Sequence, residues 1–137
     1  MMYTTEVQKH LEVEVREKNP NLYRGFHLPP SKCFAYRGFE HEDGWFQLIQ
    51  EASNKIEGII KTMPKKERRE HYAMHVVSKN GCLRVYMSLI NAEIESVLSD
   101  LVTFSLHTCE ICGGKGERTN NITRCEEHKD AGNRKFN

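Results

Sequence analysis

The sequence predicts an α+β fold in which a helix, a β-hairpin and a second helix build the core and a small cysteine- and histidine-rich module follows. Three patterns carry that expectation. Trp45, Leu48, Ile49, Ala52, Ile56, Ile59, Ile60 and Met63 recur at three- and four-residue steps, as on one helix face. Asn80-Gly81 lies between two alternating segments, and a two-residue type I′ hairpin turn needs positive φ at both positions. The pairs Cys109/Cys112 and Cys125/His128 stand twelve residues apart near the end of the chain.

In chain order, residues 4–18 place Val7, Leu11 and Val15 four apart, which favours a helix, although Leu11, Val13 and Val15 also alternate as on a strand. Asn19-Pro20-Asn21 ends that element. Residues 19–43 read mainly as loop. Their aromatics (Tyr23, Phe26, Phe34, Tyr36, Phe39) are expected to lie across the core. Asp43 is the expected cap of the helix over 44–63, and Pro64 its stop. In the hairpin over 72–89, the Asn80-Gly81 turn sets Ser78 opposite Leu83, Val76 opposite Val85, Met74 opposite Met87 and Tyr72 opposite Leu89, all on one largely apolar face. The other face pairs Lys79 with Cys82, Val77 with Arg84, His75 with Tyr86 and Ala73 with Ser88. A second helix over about 91–106 has Asn91 as N-cap, with Ile94, Val97, Leu98, Leu101 and Ser105 facing inward. The expected division is an α+β domain over 1–107, a metal module over 108–130 and a tail over 131–137.

A chain of 137 residues with 38% hydrophobic and 28% charged residues fits one globular domain rather than a disordered segment. A net charge of +1 argues against a whole-molecule pull on nucleic acid or acidic membranes. No apolar run is long enough to span a bilayer, and the first residues lack the pattern of a secretory signal. The expected location is a reducing cytoplasm with no membrane partner. Five cysteines, three of them in ligand spacing, argue against a disulfide framework, and Cys33 and Cys82 read as reduced thiols.

Cys109-Glu110-Ile111-Cys112 and Cys125-Glu126-Glu127-His128 each offer two donors from one tight turn, with Gly113 and Gly114 allowing the first. The twelve residues between leave room for a short hairpin. Three thiolates and one imidazole suit a tetrahedral Zn²⁺ with no open position, so one structural zinc in a ribbon or knuckle is expected. His107 lies nearby, but the paired spacing prefers His128.

Other candidates read less sharply. Lys65, Lys66, Arg68 and Arg69, with Lys61, form a basic connector interleaved with Glu67 and Glu70; the plainer reading is a solvated face. Lys115, Arg118 and Arg124 could form a basic tip on the module. Glu40, His41, Glu42 and Asp43 read as capping and solvated residues rather than an acid–base site. His75, Arg84 and Tyr86 on the polar hairpin face are the expected partner surface, since Arg and Tyr are frequent at binding hot spots.

The motifs Asp43-Gly44-Trp45-Phe46-Gln47-Leu48-Ile49, Gly81-Cys82-Leu83-Arg84-Val85-Tyr86, Thr108-Cys109-Glu110-Ile111-Cys112-Gly113 and the Cys125/His128 pair follow one another in the order of a family of small zinc-ribbon proteins of tailed bacteriophages, which the chain resembles over roughly residues 43–128. The resemblance implies an accessory role in an infected bacterial cytoplasm and supplies no catalytic residue. The resulting expectation is a non-enzymatic protein that binds a host or phage macromolecule, most readily a protein. The alternative is a nucleic-acid-binding regulator using the ribbon and the connector. The segment Asn121–His128 also looks like the close of zinc-stapled HNH nucleases. The residues between the pairs hold no histidine or aspartate, which disfavours that reading. The sequence leaves the oligomeric state open, since an apolar hairpin edge could pair with another copy.

Overall fold

A computed structural model describes residues 5–29, 31 and 38–131. Cys33, Phe34 and Tyr36 and the tail from 132 lie outside them, as does the side chain of Val7. The fold is α+β, with a three-stranded sheet, a separate two-stranded sheet and four helices among the described residues. None of those helices is long and apolar enough to cross a membrane.

The ambiguous first segment is a helix, α1 (Thr5–Lys18). It buries Val15 and packs Leu11 against the core. Asn19 ends it by donating its side-chain amide to Val15 C=O at 2.8 Å. The turn that follows is held by a carboxylate from elsewhere. Buried Glu57 accepts from Leu22 N–H at 2.9 Å and from the Asn21 amide at 2.7 Å. Residues 19–43 are therefore less of a loop than expected, with a 3-10 turn at Arg24–His27 and a short strand, β1 (Phe39–Glu40). Tyr23 and Phe39 do lie in the core, their ring centroids 5.4 Å apart, and the Tyr23 hydroxyl meets Ser53 Oγ at 2.6 Å.

The main helix starts later than its apolar stripe. Asp43–Trp45 is a 3-10 turn, and α2 runs Phe46–Lys61. Asp43 is the first residue of that turn, not a cap, and no side chain caps α2. Instead Gly44 N–H donates to Glu110 C=O at 2.7 Å, so backbone from the end of the chain meets a donor at the helix entrance. Ile49, Ile56 and Ile60 are almost fully buried, each contributing roughly 1.5–3 kcal/mol relative to exposure. Pro64 precedes a single helical turn, α3 (Lys65–Arg68).

The hairpin is β2 (Ala73–Lys79) and β3 (Cys82–Met87), with Asn80 at φ 54° and Gly81 at φ 84°, as the turn requires. The register matches from Lys79↔Cys82 to His75↔Tyr86. Below His75 it does not. A bulge between Ala73 and His75 sets Met87 opposite Ala73 rather than Met74. Ser88, expected opposite Ala73, instead exchanges bonds with Tyr72, which was placed opposite Leu89. One extra residue on one strand displaces every later pair by one, and that insertion turns Ala73 into the core. β1 lies parallel to β2, Phe39↔Val76, so the sheet order is β1-β2-β3. Parallel neighbours need a crossover, and α2 supplies it.

Helix α4 (Ala92–Ser105) is capped as expected, Asn91 Oδ1 accepting from Ile94 N–H at 2.8 Å. Ile94, Leu101 and Ser105 are buried. Ser105 Oγ accepts from Leu83 N–H at 2.9 Å, which fastens α4 to β3.

Gly81 is held on two counts. Its φ is left-handed, and a Cβ there would stand 3.1 Å from Arg118 Nε and from Asn121 backbone carbon. Gly81→Val should lower unfolding stability by about 1–3 kcal/mol in denaturant titration, and an unchanged midpoint would contradict this turn.

Candidate metal centre

The first pair of donors sits in a tight knuckle. Cys109 N–H donates to Gly114 C=O at 2.7 Å and Gly113 N–H to Cys109 C=O at 2.9 Å. Gly113 has φ +80°, a conformation that side chains disfavour. The chain then makes a short hairpin, β4 (Glu117–Thr119) and β5 (Ile122–Arg124), turning at Asn120 and Asn121, both of positive φ. Glu110 N–H donates to Thr123 C=O at 3.0 Å, bringing the knuckle to β5. Cys125 directly precedes a 3-10 turn, Glu126–His128, which carries His128.

The four predicted donors converge. The ligand atoms of Cys109, Cys112, Cys125 and His128 all lie within 4.8 Å of one another and could hold a metal ion. His107 is exposed and is not among them. Four donors at Zn²⁺ bond lengths in a tetrahedron stand about 3.8 Å apart for two sulfurs and about 3.6 Å for sulfur and nitrogen. Cys112 Sγ and Cys125 Sγ are 3.8 Å apart. His128 Nδ1 lies 3.8 Å from Cys109 Sγ and 3.1 Å from Cys125 Sγ. Two of these three spacings are near the tetrahedral values and the Cys125–His128 spacing is shorter, so the four donors are close enough together to hold a metal ion.

Electrostatics points the same way. Burial raises the Cys109 pKa, but N–H groups of Cys112, Cys125 and Ile111 outweigh it and bring it down to about 7. Gly114 N–H lowers the Cys112 pKa, yet burial and the neighbouring Cys109 and Cys125 sulfurs together raise it. Crowded thiols resist ionising together, and a divalent cation removes that resistance.

The module is seated on the rest of the fold. Trp45, fully buried, donates its indole N–H to Thr108 C=O at 2.9 Å. Gly44 leaves no room for a side chain, since a Cβ would collide with the carbonyl oxygens of Cys109 and Glu110. On the hairpin side Thr123 Oγ1 donates to Gly81 C=O, and Arg118 Nε to Asn80 C=O at 2.7 Å.

Beneath this contact lies a polar layer that sequence reading missed. His41 and Glu42 are fully buried, not solvated, and His41 Nδ1 lies 2.7 Å from Glu42 C=O. Glu110 and Arg124 are buried as a pair, 4.0 Å apart. Burial raises the Glu110 pKa, while Arg124 and the Ser78 hydroxyl lower it. Arg124 is therefore no part of a basic tip. Spacing gives no sign of this layer. The one available signal was Gly44, a glycine at a helix start where a capping residue would serve better.

The expected partner residues divide. Arg84 is exposed, and Tyr86 is 42% exposed. His75 is largely covered, with Nε2 2.7 Å from Glu40 Oε1 and its ring stacked on Tyr86 at 6.3 Å. Lys115, Lys65, Lys66 and Arg69 are exposed. Arg68 donates to Met63 C=O and Lys61 C=O, so it closes the end of α2. Arg118 is occupied by Asn80 and Asn121.

Elemental analysis of protein purified without chelator should find about one zinc per chain, and Cys112→Ser should lower that content sharply. Metal-free wild-type protein with an intact fold would refute the assignment.

No protein-family model, curated protein or solved structure matches the chain.

Proposed function

We propose that the chain is a non-enzymatic binding protein whose Cys109, Cys112, Cys125 and His128 hold one structural Zn²⁺, and that it engages a host or phage protein during infection. The observation that carries this reading is the closed donor set. With all four donors on one ion, no position would be left for water or substrate, and the ion would contribute folding free energy. The phage setting rests on the order of sequence motifs over residues 43–128.

The working surface is the outer face of the hairpin, with the module beside it. Arg84 and Tyr86 are exposed there, and neither is needed for the core. The Glu40–His75 contact fixes the imidazole on which Tyr86 stacks, so the ring is held before any partner arrives. A pre-ordered aromatic loses less entropy on binding. Arg118 joins the module to the hairpin turn through Asn80 C=O, and Lys115 is exposed on the module.

The nucleic-acid reading is weaker for a stated reason. Arg68, Arg118 and Arg124 are spent on carbonyls or on Glu110. Lys61, Lys65, Lys66 and Arg69 remain on the connector, beside Glu67 and Glu70, with Lys115 on the module.

Arg84→Ala with Tyr86→Ala should preserve circular dichroism and zinc content while lowering capture of a nuclease-resistant protein partner from infected-cell lysate. Full capture by the folded double variant would move the site elsewhere. Loss of all captured material on nuclease treatment would favour nucleic acid.

A further inference from the structure

We infer that β3 is the contact between two copies of the chain, which join antiparallel about a two-fold axis at Val85 and merge their sheets into one. The sheet order β1-β2-β3 leaves β3 at an edge, and among the described residues no strand lies on its outer side. Lys79 and Cys82 close a two-residue turn and form a bonded pair. Bonded and non-bonded pairs alternate along an antiparallel ladder. Cys82, Arg84 and Tyr86 therefore direct their backbone groups at β2, and Leu83, Val85 and Met87 direct theirs away. Leu83 shows this, since its N–H reaches Ser105 Oγ on α4 rather than β2. Beyond Leu83 no strand pairs with this edge among the described residues.

A groove of about 420 Å³ runs along that stretch, between β3 and α4, lined among others by Val85, Tyr86, Ile90, Glu95, Leu98 and Val102. Of the four large hydrophobic side chains most exposed among the described residues, Tyr86, Leu89 and Ile90 lie on or directly after β3, and Phe104 lies on α4 away from this groove. Proteins guard open edges with lysine, proline or a bulge on the edge strand. β3 carries neither lysine nor proline, its one charged residue is Arg84, and the bulge in this sheet lies on β2.

The edge is complementary to itself. With Val85 opposite Val85 of the second copy, the two residues exchange both hydrogen bonds. Arg84 then stands opposite the second copy's Tyr86, where a guanidinium over an aromatic face is favourable. Leu83 keeps its N–H on Ser105 Oγ, so the backbone contact between the copies is centred on Val85. Arg84 and Glu95 line the same groove with opposite charges, so a copy turned by the two-fold axis offers each charge its opposite. Arg84 and Tyr86 stay on the outer face, so pairing doubles the binding surface proposed above. The inference does not depend on that reading.

The test uses the full zinc-loaded chain. Sedimentation should give twice the 16.0 kDa chain mass, dissociating on dilution. The Val85 amide, facing no acceptor among the described residues of its own chain, should exchange slowly in the dimer and quickly in the monomer. Val85→Pro removes that outward N–H without cutting the β2 ladder, and should weaken dimerisation by about tenfold or more. It leaves the Arg84 and Tyr86 side chains in place, so a failure of dimerisation is read apart from a failure of partner capture. A monomer at every concentration would overturn the inference, as would a dimer whose Val85 amide exchanges at the rate of an exposed loop. Should Val85→Pro not fold, wild-type amide exchange decides alone.

Discussion

A single backbone hydrogen bond, from Gly44 N–H to Glu110 C=O at 2.7 Å, fixes where two distant stretches of the chain meet. Around it close the collision-free space at Gly44, the Trp45–Thr108 bond, and the Thr123 and Arg118 contacts to the Asn80-Gly81 turn. The C-terminal module has little apolar content of its own, with Cys109 and Ile111 its buried hydrophobic members. Such a segment orders itself by docking and by metal binding. Because Glu110 lies between Cys109 and Cys112, the backbone that caps the entrance to α2 is the backbone that carries the donors. The proposed ion and the helix entrance are thus parts of one arrangement.

That arrangement brings charge into the interior. Glu42, Glu110 and Arg124 are nearly inaccessible, and removing charged groups from water costs several kcal/mol each unless partners answer them. Arg124 lies on β5, directly before Cys125, while Glu110 directly follows Cys109, so their pairing links the two halves of the donor set. An apolar pair of similar volume would not choose between alternative seats for the knuckle as opposite charges do.

The sequence made the regular elements legible because each has its own local signal. The stripe of α2, the Asn91 cap and the Asn80-Gly81 turn needed no knowledge of the rest of the chain. The donor set was legible for the same reason, since ligand spacing within a turn is local. What escaped was non-local. β1 is two residues long and exists only because β2 lies beside it. The bulge at Met74 breaks no pattern of alternation. His41 and Glu42 look like a solvated helix start until the rings of Phe39, Trp45 and Phe46 are seen around His41 and Glu110 beside Glu42. Arg68 and Arg118 look like free cations until their carbonyl acceptors are seen. Charge runs read from sequence overstate a basic surface when arginines are used to close backbone ends.

Trp45 is the only tryptophan, fully buried and bonded to Thr108 at the head of the donor set, so its emission reports on the contact itself. The most direct measurement is a chelator titration of the purified protein, following released zinc and Trp45 fluorescence together. The account predicts that emission shifts to longer wavelength in step with metal loss and returns when zinc is restored. Complete release of zinc with an unchanged Trp45 spectrum would show that the metal centre and the helix entrance are independent, and would contradict it.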